Sequence, residues 1–327
     1  MHHEFRQDRP KVVAIGGGTG LSVMLRGLKE RPLDLTAIVT VADDGGSSGI
    51  LRSELQIPPP GDIRNVLTAL ADVEPMLSRL LEYRFPIGNG LAGHSMGNLI
   101  LAAMKDITGD FVTGVRELSK VLAVRGRVLP AAHEAIVLKA EMEDGTVVVG
   151  ESRIPRARGR IRRVRIEPPD VSPLPEAIAA IEQADAIIIG PGSLYTSIMP
   201  NLLVPDIARA LRNSDALILF VCNIMTQPGE TDGYNVSDHL RAIADHLGEQ
   251  IFDAVIVNDG AIPEDALARY AEQGAGIVQV DREAVEAMGC RVLSGNLAKI
   301  GRYLRHDTEK LSEQIYRLIL HWKAESR

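Results

Sequence analysis

The strongest constraint on the fold lies near the amino terminus, where the apolar run Val12 to Ile15 leads into Gly16-Gly17-Gly18-Thr19-Gly20 and then into Leu21, Met24, Leu25 and Leu28. The last four recur at helical spacing, so the segment predicts a strand, a glycine loop and a helix. A second strand, Leu35 to Val41, follows after a short connection. That spacing makes a βαβ unit with a parallel pair.

The same rhythm returns later in the chain. Strands are expected at Ala186 to Ile189, Ala216 to Cys222, Phe252 to Val257 and Gly276 to Val280, separated by helical stretches such as Ile207 to Leu211 and Val236 to Leu247. In the closing helix Leu311, Ile315, Leu318, Ile319 and Trp322 form an apolar stripe, with Asp307 placed to cap it. Between the two halves, Gly61 to Val124 reads as helical. Ala135 to Ile154 reads as a hairpin around Asp144-Gly145, a pair suited to positive φ, and the arginine-rich run after it as a third strand. The expected fold is a Rossmann-like, doubly wound α/β domain with a mainly parallel sheet covered on both faces. It spans 1–327 as one domain, with 61–170 as an inserted helical and β-hairpin region.

A chain of 327 residues, 45% of them hydrophobic, can bury a sizeable core without disulfides or metals. Its two cysteines, Cys222 and Cys290, fall in or beside apolar runs, as expected of small buried hydrophobes in a reducing, cytoplasmic setting. The first ten residues are polar, and no segment approaches the roughly 18 uninterrupted apolar residues of a membrane span. A net charge of -7 argues against general nucleic-acid binding. The exception is local: seven arginines fall between Arg153 and Arg165. Such charges suit a sheet edge that must not pair further, or a partner surface.

In open α/β sheets, ligands bind outside the carboxyl ends of the strands, where helix N-termini attract anions. Five loops at that edge share a glycine-, hydroxyl- and amide-rich composition, although most βα loops need only about 2 to 6 residues. Gly16 to Gly20 is the expected phosphate cradle, with Gly17, Gly18 and Thr19 at its centre. It lacks the third glycine of a dinucleotide fingerprint, which is Leu21 here, and the G-K-[ST] ending of a P-loop. After the second strand, Asp43 and Asp44 can accept sugar hydroxyls or hold Mg²⁺, and Ser47 and Ser48 can continue an anion nest. Pro59-Pro60-Gly61-Asp62-Ile63-Arg64 opens a helix with Asp62 as a cap and Arg64 as a phosphate clamp. Gly93 to Asn98 opens another, where His94 can hydrogen-bond or relay protons. The chain has no H-E-x-x-H, no cysteine metal spacing and no G-x-S-x-G elbow, which excludes zinc and serine hydrolases of those types.

Six motifs in order, GGGTG, VADDGGSSG, PPGDIRN, GHSMGN, GPGSLYTS and NIMTQPGETDGY, resemble those of the YvcK-like family of gluconeogenesis factors, within the superfamily of CofD-type 2-phospho-L-lactate transferases. The resemblance covers nearly all of residues 11 to 320. It implies a cytoplasmic protein with a CofD-like fold that binds UDP-sugars, notably UDP-N-acetylglucosamine, and is required for growth and cell shape on gluconeogenic carbon sources. The family motifs map onto Gly17, Gly18, Thr19, Asp43, Asp44, Ser47, Ser48, Asp62, Arg64, His94, Asn98, Gly192, Ser193, Asn223, Thr226 and Gln227. Tyr270, in Ala268-Arg269-Tyr270, is expected to stack on uracil, and Arg305, in Arg305-His306-Asp307-Thr308, to reach a phosphate. The Arg-His-Asp-Thr tail resembles the regulatory branch rather than the transferases. Two other readings stay open: a Mg²⁺-dependent CofD-type phosphotransferase, with Asp43, Asp44 and His94 as catalytic candidates, and an NAD-type dinucleotide binder. A homo-oligomer and a cell-envelope synthesis partner are further expectations.

Overall fold

The computed structural model describes residues 9–301 and 303–325. Twelve strands occur among them: β1 Lys11–Gly16, β2 Asp34–Val39, β3 Arg127–Pro130, β4 Val137–Met142, β5 Val147–Val149, β6 Ile161–Glu167, β7 Ala186–Ile189, β8 Leu217–Val221, β9 Ala254–Asn258, β10 Arg291–Gly295, β11 Ala298–Ile300 and β12 Leu304–His306. Seven of these form one sheet in the order β3-β2-β1-β7-β8-β9-β10, with every neighbouring pair parallel. The chain winds outward from β1 in one direction and from β7 in the other. The strand order therefore reverses between β1 and β7, where a doubly wound sheet opens its ligand crevice.

The central strands are buried on both faces, so they read as continuous apolar runs. In β1, Val13 and Ile15 face one core while Val12 and Ala14 face the other; Ile187 and Ile189 of β7 divide from Ala186 and Ile188 in the same way. The second face is covered by the helices Gly18–Leu28, Gly61–Leu70 and Thr308–Glu325. Asp307 caps the last of these, accepting from the amides of Glu309 and Lys310 at 3.1 Å each. The first face carries helices Pro205–Arg212 and Val236–Leu247 and a small antiparallel sheet, β5-β4-β6, whose Leu138, Ala140, Val164 and Ile166 join that core.

Three expectations need correction. Gly276 to Val280 is not a sheet strand: its backbone bonds to the loop after β8, through Thr226 N to Gly276 O at 2.7 Å and Val278 N to Ile224 O at 3.0 Å. Its place at the sheet edge is taken by β10, which keeps a five-residue register with β9. The region 61–170 holds more than helices and a hairpin, because β3 pairs with β2 in the main sheet. The arginine-rich run is only partly a strand. Glu151–Arg153 is a 3-10 turn and Ile154–Ala157 a short helix with Pro155 in its first turn, and within this run only the part from Ile161 onward, in β6, is a strand, pairing with β4. β6 does lie at a sheet edge, as the charge pattern suggested.

Candidate functional site

The helix after β1 begins at Gly18 beside the β1/β7 reversal, with Gly17 in the cap position; Gly17 has no side chain to cap it, and the Asp62 carboxylate meets the Gly18 amide instead. Gly18 takes φ +66°, a left-handed conformation that suits glycine. Across the reversal, the helix is held tightly to the loop after β7: a Cβ on Gly20 would lie 2.5 Å from the Pro191 carbonyl oxygen. The next loop is tied in by a reciprocal amide pair. Gly192 N donates to Asn223 Oδ1 at 3.2 Å, and Asn223 Nδ2 donates to the Gly192 carbonyl at 2.7 Å.

Thr19, Gly192, Ser193, Asn223, Gln227 and Arg305 line one cleft of about 230 Å³, together with Pro191, Ile224, Leu304 and His306. Loops from four parts of the chain thus meet where the sequence expected them to meet. Exposed Arg305 supplies the cleft's cation, with its guanidinium 5.7 Å from the Tyr303 ring centroid.

A second group lies on the other side of Gly17. A Cβ there would sit 2.5 Å from Asp62 Oδ2, and a Cβ on Gly61 would sit 2.6 Å from Asp43 Oδ2. Asp44 Oδ1 accepts the Ser152 amide at 2.8 Å, which brings Glu151 into the same neighbourhood. Asp62 is partly exposed but densely surrounded, and desolvation, reinforced by Asp43, pushes its carboxyl up to about 7 against the Gly18 amide and Arg64. Desolvation pushes Glu151 up to about 8, with Asp43, Asp62, Asp44 and Glu230 repelling its charge. These are carboxylates poised near neutrality beside a cleft, a common property of functional sites.

Behind them runs a buried polar chain. Ser47 Oγ lies 3.0 Å from His94 Nδ1, and Asn98 Nδ2 donates to Ser47 Oγ at 3.1 Å and to Ser48 Oγ at 3.5 Å. Because Asn98 uses the Ser47 oxygen as an acceptor, the Ser47 proton is free to point at His94. Arg64 is buried, donating to Ser95 Oγ at 2.6 Å and Asn65 Oδ1 at 2.5 Å. Asp62 stands in the first helical turn rather than at the cap, which is Pro60.

Two expected site residues serve the scaffold. Thr226 Oγ1 accepts the Gly276 amide at 2.9 Å, and Tyr270 Oη accepts the Leu304 amide at 2.8 Å, so Tyr270 props the strand that carries Arg305. Glu151 and Glu230 were not singled out from the sequence. Glu230 is 4% exposed and accepts from the amides of Tyr195 and Thr196, from Thr196 Oγ1 at 2.9 Å and from Gln227 Nε2 at 2.7 Å. It occupies the start of the helical turn after β7, and burial raises its carboxyl to about 7. Its place inside the Gln227 to Thr231 motif was the available signal.

For Mg²⁺, the fit is limited. Among the described residues no three of His, Cys, Asp and Glu are grouped to hold a metal ion. An ion at Asp43 and Asp44 would draw most of its ligands from water and from phosphates of the bound molecule, which is how Mg²⁺ is usually held.

Fold and site together define a doubly wound α/β protein with a glycine-lined cleft at the strand-order reversal. The profile described as 2-phospho-L-lactate transferase CofD matches residues 12–298. The chain is 56% identical over 308 residues to the gluconeogenesis factor of Halalkalibacterium halodurans, covering 94% of this chain and 96% of that protein. It is 55% identical to the gluconeogenesis factor of Bacillus subtilis over 313 residues, 95% and 99% of the two chains. A crystal structure of a UPF0052 family member from Bacillus halodurans superposes with a TM-score of 0.92 at 55% identity, covering 95% of this chain and all of that one. The chain belongs to the gluconeogenesis factor (UPF0052) family, within the CofD group.

Among the described residues no helix is long and apolar enough to cross a membrane.

Proposed function

We propose that the protein is a cytoplasmic regulator that binds a nucleoside diphosphate sugar of the UDP-N-acetylglucosamine type, and through it supports growth and cell shape on gluconeogenic carbon sources. The observation that carries this reading is the cleft at the β1/β7 reversal. The Thr19 end of the glycine loop, the Gly192-Ser193 loop and Arg305 suit a diphosphate, while Gln227 and the nearby carboxylates suit sugar hydroxyls. Isothermal titration with UDP-N-acetylglucosamine is the direct test. Saturable heat, competed by UDP, is expected; no heat and no thermal shift at millimolar ligand would remove the proposal.

A second reading is a CofD-type phosphotransferase. It is favoured by the 3.0 Å Ser47–His94 contact and by the carboxyls of Asp62 and Glu151 raised towards neutrality, which have the form of proton-transfer groups. Product formation from a nucleotide-diphosphate donor with Mg²⁺, lost in Asp43→Asn and His94→Ala, would establish it. Binding without turnover favours the regulator.

A further inference from the structure

One polar atom beside the cleft has no partner within the described chain. His306 ends β12, lines the cleft beside Arg305 and Asn223, and is 7% exposed. Its ring bonds to the backbone of Cys222, just past the end of β8, while its Nε2 is buried and has no hydrogen-bond partner among the described residues. The bond to Cys222 therefore runs from Nδ1–H to the carbonyl, which fixes the tautomer and leaves Nε2 as a lone-pair acceptor. Burial holds this imidazole down at about 4. Burial therefore disfavours the protonated ring in which Nε2 would act as a donor.

A buried acceptor without a donor is destabilising, and such groups in native chains call for an explanation. His239 makes a useful contrast. Its Nε2 is also buried without a partner, but it packs near the rings of Phe220 and Tyr234 and does not line the cleft. His306, in contrast, lines the cleft next to Arg305 and Asn223.

We infer that His306 is a specificity-determining residue of the cleft, accepting at Nε2 a hydrogen bond from a neutral N–H or O–H group of the ligand. The inference rests on the nucleotide-sugar reading and adds a directional requirement to it: the ligand must present an uncharged donor at the Arg305 end. A uracil imide and a sugar hydroxyl or acetamido group are two sources of the same chemistry.

The test is calorimetry with UDP-N-acetylglucosamine and with UDP, on the wild type, His306→Leu and His306→Gln. Leu removes the acceptor; Gln can return one at the reach of Nε2. His306→Leu should weaken UDP-N-acetylglucosamine about tenfold, with partial recovery in His306→Gln. An equal loss for UDP assigns the donor to the nucleoside, and a loss confined to the sugar nucleotide assigns it to the sugar. Because His306→Leu can disturb folding, ring ¹⁵N NMR on the wild type provides an independent measure. An upfield move of the His306 Nε2 resonance on ligand addition supports the assignment. Wild-type binding with an unmoved resonance, or undiminished affinity in a folded His306→Leu, overturns this assignment alone. Absence of wild-type binding overturns the nucleotide-sugar reading, and the assignment falls with it.

Discussion

The Asp62 carboxylate lies against Gly17 so closely that a Cβ on that glycine would stand 2.5 Å from Oδ2, and 2.6 Å from Thr40 Cγ2 on another side. Gly17 is buried in extended backbone, φ -168°, so the demand for glycine here is one of space and not of backbone strain. Gly17→Ala should push Asp62 and the helix start apart. The expected cost is about 1 to 3 kcal/mol of stability, with loss of measurable UDP-N-acetylglucosamine binding. Denaturant melts and calorimetry check both, with Gly276→Ala, where the nearest neighbour stands 4.0 Å away, as the control.

Arg305 is exposed, and its guanidinium lies near a single aromatic ring, so its removal should leave the fold intact. Arg305→Ala is expected to weaken the sugar nucleotide by about 1.5 to 3 kcal/mol, roughly 10- to 100-fold, as for a hydrogen bond to a charged group. The thermal midpoint without ligand should stay within a degree or so. Unchanged affinity would place the diphosphate elsewhere.

The raised carboxyls set a pH dependence of unusual sign. Asp62, Glu151 and Glu230 stand at about 7, about 8 and about 7 in the folded chain, against ordinary values of 3.8 for Asp and 4.5 for Glu. Between those limits the folded state binds more protons than the unfolded state, so stability from these groups falls as pH rises. His239, His246 and His306 are all lowered from 6.5, and below that pH they act in the opposite direction. The clear window therefore runs from about 6.5 to 8. Urea midpoints should decline across it, and Asp62→Asn, which keeps an acceptor for the Gly18 amide, should decline less steeply. A wild-type midpoint that rises across this window would contradict the assignment.

The strands that hold the crevice were legible because they are buried on both faces and therefore apolar throughout, as in β1, β7 and β8. β3 escaped notice because Arg127–Pro130 is short and ends in proline, and its membership of the sheet depends on a crossover from β2 across a helical region. β10 was missed for a related reason: Gly276 to Val280 has the stronger β-branched pattern, but its backbone partners are a loop. At the site, the glycine and amide motifs announced themselves by composition. Glu151 did not, since it joins the site only through a distant loop contact, and Glu230 was marked only by its place inside the Gln227 to Thr231 motif. Gly150, at φ +106°, lets Asp44 approach, and Gly229, at φ +82°, packs on the Pro155 carbonyl.

The arginine-rich edge gives a separate prediction. Arg162 and Arg165 both pair with Glu141 on the neighbouring strand, at 2.8 and 3.0 Å, and the outward amide of Val164 donates to His246 Nε2 at 2.9 Å. The edge is thus partly closed by the chain itself. Changing Arg160, Arg162 and Arg163 to Ala should cost about 1 kcal/mol or less, as for exposed ion pairs, and leave sugar-nucleotide affinity unchanged. Pull-down with this variant then reports on partner binding alone.

β1 and β7 are hydrogen-bonded neighbours although about 170 residues of chain intervene. A molecule seated between Gly18 and Ser193 would clasp the early and late portions of the polypeptide, adding to the strand pairing, packing and polar contacts, such as Asn201 Nδ2 to the Gly16 carbonyl at 3.2 Å, that already join them. Amide exchange should then slow on both flanks together when the cleft is filled, so that occupancy is read as cooperativity of the whole sheet.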